Sequence, residues 1–300
     1  MRPSRKPDRP RVRWPDRPLN RPRSPVKSVT VCIVATCQID APLAPRLGMM
    51  PRWDVPGIVA VSDRMLSTPQ GSSQPDQSKS FGFGPHIRCW FAGDPGVCED
   101  IVDAARLALP TGPTVRQVAM AVDKAFVAER RRHARFARLR NKSIELDTYK
   151  LEDQLIVAGV EPKKAHIFVI DDDRRAHRAD TIGFAAIGTG SYLAIDYLNR
   201  INLPRWAPMP EALFSIYAAK RMAEAAPTVG TDTQVFISRY TKKVYWSKNL
   251  LGDLAKRYRQ MTAAERRQRD KAVRSLSENF TKNPKHYFLE MEPSSSDLTS

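Results

Sequence analysis

Apolar positions in the first part of the chain form short β-branched runs separated by polar stretches. The runs VTVCIVATC at 29–37 and GIVAVSDRM at 57–65 have the length and composition of strands, and we expect them to pair. The proline-rich residues 38–56 and the Gly, Ser, Pro and Gln stretch at 67–78 predict loops. Residues 81–93 alternate again and predict further strand structure.

Two helical patterns follow these strands. Asp94 before Pro95 is a typical helix start, and the helix is predicted to run to about residue 109. The prolines of 110–113 end it, and a long amphipathic pattern then covers 115–140. The sequence therefore predicts two adjacent helices after the first group of strands.

The second half repeats this order of strands and paired helices. Strands are predicted at 154–160, 165–170, 181–187, 233–238 and 242–246, and helices at 192–200 and 210–226. This order is neither a strict βαβ alternation nor all-β. It predicts an α+β fold, a four-layer αββα sandwich of two antiparallel sheets flanked by helix pairs.

The composition is that of a globular chain with a sizeable core. Apolar residues make up 42% and charged residues 27% of 300 positions, and no apolar run approaches the length of a membrane span. We therefore expect a cytoplasmic protein that does not enter a membrane. Four scattered cysteines and five isolated histidines lack the spacing of a metal site, so we expect reduced thiols, no metal and no cofactor.

The basic charge is concentrated at the N-terminal end. Residues 1–27 hold eight arginines and two lysines against two aspartates, a net +8 of the chain's +17, together with seven prolines. Such a segment cannot collapse, so we predict a disordered Arg/Pro-rich extension over 1–28. We predict a folded domain over 29–246 and a charged helical extension with a disordered end over 247–300. The basic stretches 130–142 and 256–274 are interpreted as solvated helix faces rather than nucleic-acid surfaces.

Four short motifs occur in a fixed order along the predicted domain. They are the strand that begins at Thr30, the strand end VSDRMLS with Asp63, the AGD of 92–94 and the GTGS of 188–191. Lys79 follows Asp63 by 16 residues. This order and spacing resemble the proteasome β subunits and bacterial ring proteases of the N-terminal-nucleophile (Ntn) hydrolase family, over about 210 of the 300 residues.

The resemblance assigns a role to each of these residues. A hydroxyl is a weak nucleophile, and in this family the nucleophile's own α-amine takes its proton once the preceding peptide bond has been cut. The resemblance therefore implies that the extension over 1–28 is a propeptide. By resemblance, Thr30 is the nucleophile, Lys79 its electrostatic partner, Asp63 the residue that orients the lysine, and Thr189, where the family has Ser, a supporting hydroxyl. Backbone amides of the 188–190 turn would help to bind an oxyanion.

The sequence departs from the family pattern at several positions. Val29 stands before the nucleophile where processed members usually have Gly. The family's second Asp and a nearby Ser fall at Ala225 and Thr228, so the acid is absent unless Glu224 replaces it. The family's Gly-Gly pair is Val229-Gly230 here.

Three functions remain open from the sequence. The first is a threonine-type peptidase or amidohydrolase that acts on a peptide or protein substrate in a ring-like homo-oligomer. The second is a catalytically inactive proteasome-like structural or regulatory subunit. The third is a polyanion-binding protein that uses the basic arm, although we do not expect nucleic acid as a partner. Cys32 lies two residues beyond Thr30 on the same side of the strand and is either a second candidate nucleophile or a buried thiol.

Overall fold

A computed structural model describes ten segments of the chain. They are residues 30–39, 55–64, 66–68, 71–73, 78–145, 148–173, 176–227, 229–240, 243–244 and 249–282. The predicted arm at 1–28 and the predicted end of the chain beyond residue 282 lie outside the described residues.

These segments contain short strands grouped around helix pairs. The first half has β1 (Cys32–Ile39), β2 (Val55–Asp63), β3 (Leu66–Thr68), β4 (Gly71–Ser73), β5 (Ser80–Gly82), β6 (Ile87–Ala92), α1 (Pro95–Leu107) and α2 (Val115–Arg140). The second half has β7 (Gln154–Glu161), β8 (Lys164–Ile170), β9 (His177–Arg178), β10 (Phe184–Ile187), α3 (Ser191–Arg200), α4 (Met209–Ala223), β11 (Thr233–Arg239), β12 (Lys243–Val244) and α5 (Asn249–Lys282).

The strands form two five-stranded antiparallel sheets. The first has the order β10-β1-β2-β11-β12 and the second the order β5-β6-β7-β8-β9. In the first sheet, Cys32 on β1 faces Ser62 on β2 and Ile187 on β10, so β1 lies between two antiparallel neighbours. The predicted pairing of the first two strand runs is confirmed.

Three apolar cores hold the sheets and helices in layers. Val34 and Ile58 of the first sheet meet Ile156 of the second in a core between the sheets. Ile33 on the other face of β1 packs with Leu213 of α4 in a second core. A third core joins α1 and α2 to the outer face of the second sheet. Both faces of the central strands are therefore covered, which explains why their sequences are almost continuously apolar.

The helix boundaries follow local capping chemistry. The Asp94 side chain accepts hydrogen bonds from the Gly96 and Val97 amides at the start of α1, at 2.9 and 3.2 Å. Thr114 and Gln117 form a capping box at the start of α2. The helices predicted over 94–109 and 115–140 are confirmed with small differences at their ends, as is the α+β class with two antiparallel sheets.

The structure corrects two local predictions. The stretch 67–78, predicted as a loop, contains the hairpin β3-β4, in which Leu66 pairs with Ser73. The strand predicted over 181–187 is shortened to Phe184–Ile187 because residues 180–183 form a turn that ends at Gly183, with φ of +98°. A Cβ on Gly183 would lie 2.6 Å from the Arg205 Cα, so close packing as well as backbone conformation selects glycine there.

The start of the last helix, α5, packs on the protein, and a later stretch of the helix is exposed. Leu254 near the start of α5 belongs to the core between the first sheet and helix α4, and Tyr258 and Met261 pack against that core. Residues 263–275 are exposed all round the helix. Among the described residues, none of the helices combines the length and apolar character that crossing a membrane would need.

Candidate active site

Thr30, Asp63 and Lys79 meet at one end of the first sheet. The Lys79 ammonium donates to Thr30 Oγ1 and, at 2.7 Å, to Asp63 Oδ1, while Thr30 Oγ1 donates to the same carboxylate. Each of the three residues is at most 2% exposed. A hydroxyl, an ammonium and a carboxylate therefore share one buried cluster of hydrogen bonds, and the lysine is compensated by the aspartate.

The register of the first sheet places these groups together. Thr30 lies two residues before the start of β1, and Asp63 is the last residue of its antiparallel neighbour β2. The Asp63 amide donates to the Val31 carbonyl at 3.2 Å, so the start of β1 and the end of β2 are fixed side by side. Lys79 comes directly before the edge strand β5 of the second sheet, and its long side chain bridges the two sheets. Residues distant in sequence thus converge because strand ends converge.

A third chain segment fixes the other oxygen of Asp63. The Gly230 amide donates to Asp63 Oδ2 at 2.8 Å, and the Val31 amide approaches Oδ1 at 3.4 Å. The aspartate therefore accepts hydrogen bonds on both oxygens and is held in one orientation. Sequence reasoning named Val229-Gly230 only as a departure from a Gly-Gly pair and missed this contact.

The 188–190 turn packs on the backbone of Thr30. Gly188 has φ of +92°, and a Cβ there would lie 2.2 Å from the Thr30 carbonyl oxygen. The Gly188 amide donates to Gln154 Oε1 at 2.8 Å, and the Gly190 amide points at the Thr30 carbonyl at 3.5 Å. The amides of Gly188 and Gly190, which were expected to help bind an oxyanion, are therefore directed at Gln154 and Thr30 in this structure. Thr189 lies between them with an exposed side chain.

Glu224 pairs with two cations rather than with the cluster of Thr30, Asp63 and Lys79. Its carboxylate pairs with the Lys220 ammonium and, at 2.9 Å, with the Arg221 guanidinium. The Lys220 ammonium also donates to the Thr231 carbonyl at 2.8 Å. Glu224 is therefore held by two cations on its own helix, while Thr228 lies outside the described residues.

Cys32 is a buried thiol beside the cluster. Burial raises the pKa of Cys32 to about 12, although the nearby Lys79 charge acts in the opposite direction. Its Sγ donates to the Phe91 carbonyl at 3.4 Å. Because a thiol attacks as the thiolate, Cys32 is a much poorer nucleophile near pH 7 than an ordinary cysteine.

No protein-family model and no curated protein matches this sequence. The contacts around Thr30 therefore provide the grounds for a functional proposal. The structure brings Thr30, Asp63 and Lys79 together and places Thr189 in the turn that covers Thr30. Two further residues, Gly230 and Lys220, were missed by the sequence reasoning.

A signal for Lys220 is present in the sequence. Met209, Leu213, Ile216 and Ala223 form the buried stripe of α4, and Lys220 falls on the same stripe at helical spacing. A lysine on an apolar stripe indicates a buried cation with a specific partner. Gly230 carries no comparable signal, because its contribution is a backbone amide.

A cavity of about 210 Å³ lies on the flank of this site. Its lining includes Ser62, Ser78 and Ser80, the sequence neighbours of Asp63 and Lys79, with Arg88 and the aromatic rings of Trp90 and Phe236. Among the described residues, no group of three or more His, Cys, Asp or Glu side chains is arranged to hold a metal ion.

Proposed function

We propose that this chain is a proteasome-like Ntn hydrolase that cleaves peptide or other amide bonds with Thr30 as the nucleophile. The observation that carries the proposal is the buried cluster in which Lys79 contacts both the Thr30 hydroxyl and Asp63. The two antiparallel sheets flanked by helix pairs are compatible with the sandwich of that family. By the same resemblance, we propose a ring-like homo-oligomer, a peptide or protein substrate and a cytoplasmic location.

The proposed reaction requires the Val29–Thr30 bond to be cut first. The free α-amine of Thr30 then takes the proton of Oγ1 as that oxygen attacks the substrate carbonyl carbon. Collapse of the tetrahedral intermediate breaks the C–N bond, and the leaving amine takes the proton. Water then attacks the resulting ester, and the acid product leaves with the Thr30 hydroxyl restored.

Lys79 and Asp63 supply the electrostatics of this reaction. A positive charge in contact with Oγ1 stabilises the negative charge that develops on that oxygen during proton removal. The same charge lowers the proton affinity of the neighbouring α-amine, which keeps part of it neutral near pH 7. Asp63 compensates the buried lysine and fixes its position through the 2.7 Å contact.

A specific observation favours the alternative of an inactive proteasome-like subunit. The acid expected near Ala225 is absent, and Glu224 is engaged by Lys220 and Arg221. Thr30 also follows Val29 rather than Gly. In this alternative the bond before Thr30 stays intact and the cluster has a structural role. The polyanion-binding arm remains a prediction, since it lies outside the described residues.

Hydrolysis of a fluorogenic peptide-amide library by the purified full chain tests the proposal. Thr30→Ala is expected to lower kcat by about 10³-fold or more, since it removes the attacking atom, and Thr30→Ser to retain activity within about 10-fold. Cys32→Ala, two residues away, is the matched control and is expected to stay within a few-fold of wild type. Equal activity of wild type and Thr30→Ala would exclude the threonine mechanism. Loss of activity in Cys32→Ala alone would indicate the cysteine instead.

A further inference from the structure

Lys220 is a buried cation outside the Thr30, Asp63 and Lys79 cluster. It is 0% exposed and is among the largest fully buried side chains of the described residues. An ammonium is costly to bury and is normally found inside a protein only with hydrogen-bond partners and a counter-charge. The contacts of Lys220 therefore indicate its role in the structure.

The ammonium connects helix α4 to the segment that follows it. It donates to Glu224 one helical turn along α4 and to the Thr231 carbonyl at 2.8 Å. Burial lowers the pKa of Lys220, while the Glu224 carboxylate opposes that shift. Thr231 directly follows Gly230, whose amide holds Asp63 Oδ2 at 2.8 Å. The group held by Lys220 and the group that holds Asp63 therefore belong to adjacent residues.

We propose that Lys220 is a positioning residue for the candidate active site: by binding the Thr231 carbonyl, it fixes the 229–231 segment, and the Gly230 amide of that segment orients Asp63. This inference rests on the proposed function for its catalytic consequence. Glu224 has a role in it as the counter-charge of Lys220.

The chain of contacts has a direct energetic reason. Loss of the Lys220 ammonium leaves the Thr231 carbonyl and the Glu224 carboxylate without that donor, so the 229–231 segment loses a charge-assisted hydrogen bond. If this segment is mobile, the Gly230 amide contacts Asp63 for only part of the time. Asp63 then holds Lys79 less firmly, and the distance between Lys79 and Thr30 Oγ1 is no longer fixed.

Arg221 provides a matched control on the same helix. It also pairs with Glu224, at 2.9 Å, but its side chain is about a third exposed. Arg221→Met therefore removes a cation of the same cluster while leaving the Lys220 contact to Thr231 in place. A general weakening of α4 would affect both variants, whereas the proposed positioning role affects only Lys220→Met.

The test combines hydrogen exchange with kinetics on the full chain. In Lys220→Met, peptides that contain residues 229–231 are expected to exchange at least about 10-fold faster, with exchange of β1 and β2 unchanged. Arg221→Met is expected to match wild type. With an active enzyme, Lys220→Met is also expected to lower kcat by about 10-fold or more with little change in KM, and Lys220→Arg to recover part of the loss.

Each outcome decides the inference separately from the proposed function. Unchanged exchange of 229–231 in Lys220→Met overturns it, whatever the activity. Accelerated exchange in a chain without hydrolase activity supports the positioning of Asp63 by Lys220 and contradicts only the proposed function. If Lys220→Met does not fold, Lys220→Gln keeps a polar side chain at this position but removes the ammonium that binds the Thr231 carbonyl. Faster exchange of the 229–231 segment in that variant supports the inference, and unchanged exchange contradicts it.

Discussion

At the scale of single residues, the site depends on a buried charge pair that also binds a hydroxyl. Asp63 and Lys79 are almost completely buried, and Lys79 Nζ lies 2.7 Å from Asp63 Oδ1. Because water does not solvate these two charges, each is compensated by the other. Thr30 Oγ1 lies between them as donor to one and acceptor from the other. Removing both charges should therefore cost less than the sum of the costs of removing each one alone.

A double-mutant cycle tests this coupling. Lys79→Met and Asp63→Asn are each expected to lower the free energy of unfolding by about 3–5 kcal/mol, since each leaves a buried charged partner uncompensated. The double variant is expected to cost at least about 1 kcal/mol less than the sum of the two single variants. Urea unfolding followed by circular dichroism measures all four chains. Additive losses would show that the two side chains do not stabilise each other.

Gly188 provides a second prediction at this scale. A Cβ at Gly188 would contact the Thr30 carbonyl oxygen at 2.2 Å, whereas a Cβ at Gly84, with a similarly positive φ of +113°, would have no atom within 4 Å. Gly84→Ala is therefore expected to cost about 1 kcal/mol from the backbone alone. Gly188→Ala is expected to cost clearly more and to abolish any activity that depends on Thr30. Thermal unfolding of the two variants compares them, and equal losses would contradict the close approach.

At the scale of elements, the groups of the site lie at or next to the ends of strands. Those that end a recognisable strand pattern could be predicted from that pattern, and the others could not. Asp63 is recognisable because it ends a β-branched run, whereas Lys79 is recognisable only because its spacing of 16 residues from Asp63 resembles that of the Ntn hydrolases. The layer order was predictable because apolar runs and amphipathic helices alternate in pairs. The hairpin β3-β4 was not, because three-residue strands of Leu, Ser, Thr and Gly carry no periodicity. The Gly230 contact was not predictable either, since a backbone amide leaves no mark in the sequence.

A buried aspartate at the turn before β10, Asp180, provides a prediction for the pH dependence of stability. Asp180 is fully buried and accepts from Arg178 at 2.7 Å and from His166 at 3.2 Å, with Arg205 at 3.8 Å. Burial alone would raise the pKa of Asp180, but the hydrogen bonds and charges of Arg178 and His166 outweigh it and hold this pKa below its ordinary value of 3.8. The stabilisation is thus present above about pH 4 and is lost as pH falls through the lower pKa of the folded state.

Asp180→Asn is therefore expected to lower the free energy of unfolding by about 1–3 kcal/mol at pH 7, with a smaller difference from wild type at pH 3. Asp173→Asn is the control, because Asp173 pairs with Lys150 at 2.7 Å but is 71% exposed. It should leave the free energy of unfolding close to that of wild type at either pH. Urea unfolding at the two pH values measures both, and a difference for Asp180→Asn that does not shrink at pH 3 would contradict the assignment.

At the scale of the whole molecule, the proposal implies an assembly. Large apolar side chains are exposed on the helix pair α1 and α2, including Leu107 of α1 and Leu139 of α2. Where exposed apolar side chains form a contiguous patch, the patch often marks a surface between proteins.

Native mass spectrometry tests the assembly. The chain has a mass of 33.9 kDa, and a ring is expected to give a discrete species that is several-fold heavier at micromolar concentration. A single species at the mass of one chain across the concentration range would contradict the proposed ring, although it would leave the chemistry of Thr30 to be tested separately.

The central claim is that Thr30 becomes an N-terminal nucleophile. The most direct measurement is the intact mass and N-terminal sequence of the purified chain, before and after treatment with an electrophile that labels an N-terminal threonine. We expect a mature terminus at Thr30 and one label on that residue, with neither cleavage nor label in Thr30→Ala. A terminus that stays at Met1 or at any other residue upstream of Thr30, with Thr30→Ala behaving in the same way as wild type, would contradict it.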